Sequence, residues 1–223
     1  MDNSDLSYLK HWDEKFQSRS WGKYPNEDLI RFVCGEYSKN RKKNSKVLEI
    51  GSGTGANLWF LQKEGLEVSG IDSSKTGIEE SLKKLGVKGQ SPPDLHIGNF
   101  SSLPWETESF DLVVDVFALY ANILPEIHKT VKEIVRVLKP GGFFFTKVWG
   151  VKTQGYGTGK KLEENTYSDI SSGPCKDMGV SHFFNEKELK LYFKPLKLQK
   201  TTEINRRTEG MIYSQEYICI YKK

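Results

Sequence analysis

Apolar residues in this chain recur in two patterns. Short runs rich in β-branched and aromatic residues appear at Val47-Leu48-Glu49-Ile50, Leu66 to Ile71, Leu95-His96-Ile97, Phe110 to Asp115 and Gly142 to Val148. Such runs read as strands buried on both faces of a parallel sheet. Between them the spacing turns helical: Leu29, Phe32, Val33 and Tyr37; Ile78, Leu82 and Leu85; Ile127, Val131, Ile134, Val135 and Leu138. Start and stop signals flank these helices, with Asn26 as a cap, Ser73 and Ser74 leading into the second, Pro125 in a first turn and Gly86 as a stop. Strands alternating with helices predict a sheet covered on both sides.

Two stretches leave that rhythm. Residues 1–24 are densely aromatic, and Tyr8, Trp12 and Phe16 fall at i, i+4 and i+8 on one helical face, followed by Trp21 and Tyr24. Residues 150–184 show no period and carry many glycines, then Ser181-His182-Phe183-Phe184. A connection that long is usually a functional loop. Asn185 to Glu188 then forms a capping box ahead of Leu189, Tyr192 and Phe193, and Leu196–Arg206 and Glu216–Tyr221 read as two closing strands. The expected organisation is one domain, 1–223. It divides into an N-terminal helical segment (1–45), a core (46–149), an insertion (150–184) and a closing helix with two strands (185–223).

Chemistry enters at Gly51-Ser52-Gly53-Thr54-Gly55, directly after the first strand. Glycines there permit a tight turn and close approach of a ligand to backbone N–H groups, and the helix that follows turns its unpaired donors and positive dipole end toward the same point. The second strand ends in Asp72, 21 residues after Gly51, the spacing at which an acid holds the two hydroxyls of a ribose. The same stretch satisfies the dinucleotide pattern at Gly51, Gly53 and Ala56. Glu49 argues against that alternative, because an anion there repels a pyrophosphate but suits an ammonium.

Four segments together, Val47–Gly55, Val68–Asp72, Ser109–Asp115 and Leu138–Phe145, resemble in order and spacing the class I S-adenosylmethionine-dependent methyltransferases, over about half the chain. The resemblance implies an α/β fold: a Rossmann-like seven-stranded, mostly parallel sheet with helices on both faces and a C-terminal antiparallel strand pair. It implies S-adenosyl-L-methionine as cofactor, held by Glu49, Gly51, Ser52, Gly53, Gly55, Asp72, Ser73, Asn99, Phe100 and Asp115. An acidic residue is common in the family where Asn99 stands. The amide oxygen of Asn99 is still expected to accept from the adenine amino group, as a weaker neutral acceptor. Segments before the first strand often form lids in this family. Trp12 and Trp21 are therefore expected to wall the methyl donor, and the 150–184 insertion, with Tyr156 and His182, to bind the acceptor.

Composition bounds what else is possible. The chain has 223 residues, 33 basic and 29 acidic, a formal charge of +4. That balance is too mild to argue for nucleic acid, and the basic loop Lys39–Lys46 lacks interleaved aromatic residues. Cys34, Cys175 and Cys219 are odd in number and widely spaced, as reduced thiols are, which speaks against a disulfide framework or a metal centre. The acidic N-terminus is unlike a signal peptide, and no apolar run approaches a membrane span of ~20 residues, so a cytoplasmic protein is expected. Of the four histidines, His182 is the candidate base, with Tyr120 behind it. No Asn-Pro-Pro-Tyr or Asp-Pro-Pro-Tyr run follows the fourth strand, which argues against amino methylation of DNA bases. The acceptor expected is a small molecule. RNA or protein methylation, and a non-catalytic cofactor-binding subunit, are the competing readings.

Overall fold

A computed structural model describes residues 7–18, 21–39, 41, 44–86 and 92–223, and in 7–10 the backbone alone. Tyr8 as a side chain and residues 40, 42 and 43 of the basic loop lie outside that description.

Seven strands form one sheet in the order β3-β2-β1-β4-β5-β10-β9. The five parallel ones are β1 (Lys46–Ile50), β2 (Glu67–Asp72), β3 (Asp94–Ile97), β4 (Phe110–Val116) and β5 (Leu138–Trp149). β9 (Lys197–Thr208) and β10 (Met211–Lys222) form an antiparallel hairpin, and β10 pairs antiparallel to β5. Alternation along the central strands fills two cores. Leu48, Ile50, Val113 and Phe144 point to one face, and Val47, Leu112, Val114, Phe143 and Phe145 to the other. Because both faces are covered, the strands read as unbroken apolar runs in the sequence.

The helices are α1 (Ser7–Ser18), α2 (Glu27–Phe32) leading into a π-helical turn (Val33–Tyr37), α3 (Ala56–Lys63), α4 (Lys75–Leu85), α5 (Leu124–Val137) and α6 (Glu186–Tyr192). The predicted caps are present: the Asn26 side chain accepts from Asp28 and Leu29 N–H, and the Asn185–Glu188 capping box closes reciprocally; of the two serines ahead of α4, Ser74 is the cap and accepts from Gly77 N–H. One face was misread. On α4, Ile78 and Leu85 are buried but Leu82 is 46% exposed. The helix approaches the glycine turn through its small residues Gly77 and Ser81, which rotates the buried face toward them and leaves Leu82 outside.

The 150–184 segment is more ordered than a loop. It folds as a small antiparallel sheet of β6 (Lys160–Glu163), β7 (Thr166–Ser168) and β8 (Ser181–His182). Its return is stitched to the main sheet: His182 N–H donates to Tyr120 O at 2.7 Å, and Phe184 N–H to Trp149 O at 2.8 Å.

Candidate active site

The turn after β1 is built from left-handed glycines, with φ of 64° at Gly51, 50° at Gly53 and 76° at Gly55. A Cβ on Gly51 would stand 2.2 Å from Ala118 Cβ, and one on Gly55 2.1 Å from Ser81 Oγ. The glycines therefore let β1, β4 and α4 converge as well as leaving backbone bare. Against this turn lies a cavity of about 340 Å³. Its floor is the turn itself with Glu49, Ser52 and Thr54, and its near side is Asp72, Ser73 and Phe100. Its far side lies beyond the carboxyl ends of β4 and β5, where an open α/β sheet places its ligands, and is made by Phe117, Tyr120, Asn122 and Trp149. From outside come Trp12, Phe16 and Trp21 of the N-terminal segment and Pro174 and Met178 of the insertion.

Asp72 is nearly enclosed. Its two oxygens accept Gly53 N–H and Ser74 N–H, each at 2.8 Å, which ties the acid to the turn and leaves each oxygen a further lone pair. Burial pushes its carboxyl up to about 6. Glu49 is buried too. One oxygen accepts from Asn57 Nδ2 at 2.7 Å, the other has no partner, and burial raises the group to about 8. Asp13 reaches across from α1 to cap the start of α4, accepting from Ser74 Oγ at 2.6 Å and Thr76 N–H at 2.9 Å. On the other flank of α1, His11 Nε2 lies 2.9 Å from Asp177 O in the insertion. Between these ties the rings of Trp12, Phe16 and Trp21 pack edge-on and tilted at 5.7–6.2 Å, with Phe16 over Gly53.

Comparison with known proteins supplies the family. The methyltransferase domain family matches residues 48–146, which run from β1 through the glycine turn to β5. A phthiotriol/phenolphthiotriol dimycocerosates methyltransferase of Mycobacterium ulcerans is 23% identical over 209 residues, 89% of this chain and 75% of that protein. Mouse arsenite methyltransferase is 30% identical over 131 residues, 53% of this chain and 34% of that one. A solved S-adenosylmethionine-dependent methyltransferase of Methanosarcina mazei superposes with a TM-score of 0.70 at 22% identity, covering 85% of this chain and 97% of that one. Residues 48–146 belong to the methyltransferase domain family, and the fold is that of the S-adenosylmethionine-dependent methyltransferases. That domain carries the enzyme class and the methyl donor, S-adenosyl-L-methionine. The methyltransferase spans three quarters of the first relative and about a third of the second.

The residues of the methyltransferase suit that donor on their own chemistry. The unpartnered buried oxygen of Glu49 lacks the cation that an amino-acid ammonium supplies, and Asp72 has two lone pairs left for a diol.

Several residues expected at the site stand elsewhere. Of the cofactor set, Glu49, Gly51, Ser52, Gly53, Asp72, Ser73 and Phe100 line the cavity, as do Trp12, Trp21 and Tyr120. Gly55 sits behind the turn against Ser81. Asp115 is fully buried beneath it, accepting Ala118 N–H, Leu119 N–H and the Thr146 hydroxyl, and so shapes the segment after β4. Asn99 spends its oxygen on Ser101 N–H and its amide N–H on Glu126, away from the cavity lining. Tyr156 bonds Asn165 within the insertion. His182 has no exposure, its Nδ1 lies 2.8 Å from Thr166 Oγ1, and burial lowers it to about 3. It forms no part of the cavity wall; the short β8 fixes it inward. Tyr120 does face the cavity, but burial raises its phenol, which keeps it a proton donor. Sequence reading pointed past β4 to the Asp115–Tyr120 segment, which holds Phe117, and missed Asp13, Asn57 and Trp149. Trp149 closes β5, where the same strand-end rule could have found it; Asp13, a lone acid on an exposed-looking helix, gave no signal.

Proposed function

We propose that this methyltransferase transfers the methyl group of S-adenosylmethionine to a small-molecule acceptor bound beyond the ends of β4 and β5. One observation carries the reading: a single cavity joins the Glu49–Asp72 side, fitted to a charged amino acid and a ribose, to an aromatic side with room for a second molecule. Glu49 would take the ammonium, Asp72 the ribose hydroxyls, and Phe100 would lie against the adenine. Orientation of acceptor, methyl and sulfur in line supplies most of what such a reaction needs, ~7–11 kcal/mol in favourable cases. The relatives support a small acceptor by name, being methyltransferases of a dimycocerosate and of arsenite. Residues 46–149 would serve as the donor-binding core and 150–184 as the acceptor side. Among the described residues no helix is long and apolar enough to cross a membrane, and we place the activity in the cytoplasm.

Calorimetry tests the donor half: S-adenosylmethionine and S-adenosylhomocysteine should bind and NAD should not. Tight NAD binding without response to the sulfonium compound would reverse the assignment. Labelled donor incubated with metabolite, RNA and protein fractions tests the acceptor half, with label expected in the metabolite fraction.

A further inference from the structure

The far half of the cavity is aromatic and free of charge. Phe117, Tyr120, Asn122, Trp149, Pro174 and Met178 line it, and among the described lining residues the ionisable carboxyls, Glu49 and Asp72, belong to the donor half. One cation comes near. Lys147 Nζ stands 5.3 Å over the centroid of the Phe117 ring. It is 3% exposed, and Asp28 at 2.7 Å and Glu216 at 2.8 Å already hold it. An acceptor bearing a carboxylate or phosphate would be desolvated there with no partner, a cost of several kcal/mol.

Among the described lining residues no base faces this half either. His182 lies outside the cavity, and burial keeps the Tyr120 phenol protonated. The nucleophile must therefore bring a lone pair that needs no proton removed.

The wall is stiff. Phe117 and Trp149 stack with centroids 3.9 Å apart and planes 20° from parallel, and Tyr120 stands edge-on to both at 6.3 Å. Phe117 has φ of 55°, a strained backbone for a bulky residue, held by its N–H to Lys147 O at 2.9 Å. Strain of this kind costs about 1–3 kcal/mol and gathers at functional surfaces. The buried Trp149 Nε1–H is turned toward the Tyr120 hydroxyl, which ties the two rings together.

Resting on the proposed methyl transfer, we infer that the acceptor is an uncharged, planar nitrogen heteroaromatic, methylated on a ring nitrogen and seated against Trp149 and Tyr120. The nitrogen lone pair forms the new bond to the methyl carbon as the carbon–sulfur pair leaves with sulfur. The positive charge passes from sulfur to nitrogen and no proton moves. Aromatic faces suit a cation before and after the step, and no new charge has to be met.

The test uses the full chain and three probes of one size: isoquinoline, 2-naphthol and 2-naphthoate. Binding of S-adenosylhomocysteine is measured first, so failure of the donor site is read separately, and it would overturn this inference with the reading beneath it. In the loaded protein, isoquinoline and 2-naphthol should bind at least about tenfold tighter than 2-naphthoate, a difference of ~1.4 kcal/mol. With donor present, isoquinoline should yield N-methylisoquinolinium faster than 2-naphthol yields its ether. Trp149→Ala should weaken isoquinoline about tenfold while S-adenosylhomocysteine stays within about twofold, and Tyr120→Phe, which keeps the ring, should leave probe binding within about threefold. Equal or tighter binding of the naphthoate, faster methylation of the naphthol, or no methylation of isoquinoline would each overturn the inference.

Discussion

At the scale of single residues, Glu49 is the group whose state must change on binding. Burial lifts its carboxyl from the ordinary 4.5 to about 8, with the Asn57 hydrogen bond opposing and the nearby carboxylates Asp72 and Asp115 adding to the rise. A raised carboxyl stabilises the fold most below its unfolded value. Between about pH 4.5 and about pH 8 the unfolded chain loses its proton first, so that stability drains away as pH rises. Glu49→Gln should thus match the parent near the acid end and melt higher than it at about pH 8, in the apo protein. An ammonium beside Glu49 reverses its preference, so S-adenosylhomocysteine binding near neutral pH should release about one proton, read as a buffer-dependent heat, and Glu49→Gln should abolish the release. Asp72→Asn keeps one backbone acceptor but no charge, and should cost roughly 1.5–3 kcal/mol of donor affinity by calorimetry. Little change in affinity would show that the ribose is held elsewhere.

At the scale of elements, the glycine turn and the N-terminal helix set access. Gly51→Ala meets both a left-handed φ and Ala118 at 2.2 Å, whereas Gly65→Ala has a φ of 79° and nothing within 4 Å. Thermal denaturation should therefore rank the first clearly below the second, with overpacking adding about 1–3 kcal/mol. We expect α1 to act as a strap, since Asp13 fastens it to α4 and His11 to the insertion. Amide exchange in residues 7–18 should slow when S-adenosylhomocysteine binds, and removal of residues 1–24 should weaken binding while the sheet still melts cooperatively; exchange indifferent to ligand would sink the strap. Much of this level was legible in the sequence. The succession of strands from β1 to β5, the caps at Asn26 and Asn185, and the Trp12–Phe16 face all follow from period and turn chemistry. Leu82 was not legible, because which side of α4 meets the turn depends on how small Gly77 and Ser81 let it approach.

At the scale of the whole molecule, the insertion shows where sequence reading ends. Nothing in the spacing of His182 reveals that Thr166, Phe184 and Glu188 enclose it, since that depends on how β7, β8 and α6 fold onto one another. Enclosed and neutral, it is a packing residue in our reading. His182→Gln should lower the melting temperature yet leave donor affinity and the pH profile of turnover unchanged; a lost limb in that profile would restore it as a base. Glu49, Gly51, Ser52 and Gly53 were readable as neighbours because they lie on one local strand–turn–helix, while the Phe117–Trp149 side of the cavity gathers side chains from distant elements.

The placement of β10 between β5 and β9 also sets an order of events during synthesis. β9 leaves the ribosome before β10 but has no neighbour in the sheet until β10 arrives, and β5 keeps an open edge for the same interval. The donor-binding turn, by contrast, is complete once β4 and α4 have emerged. A nascent chain stopped before residue 211 would hold the donor site's backbone and an unpaired edge at once, so ligand present during translation could steady the early half while the exposed strand awaits its partner.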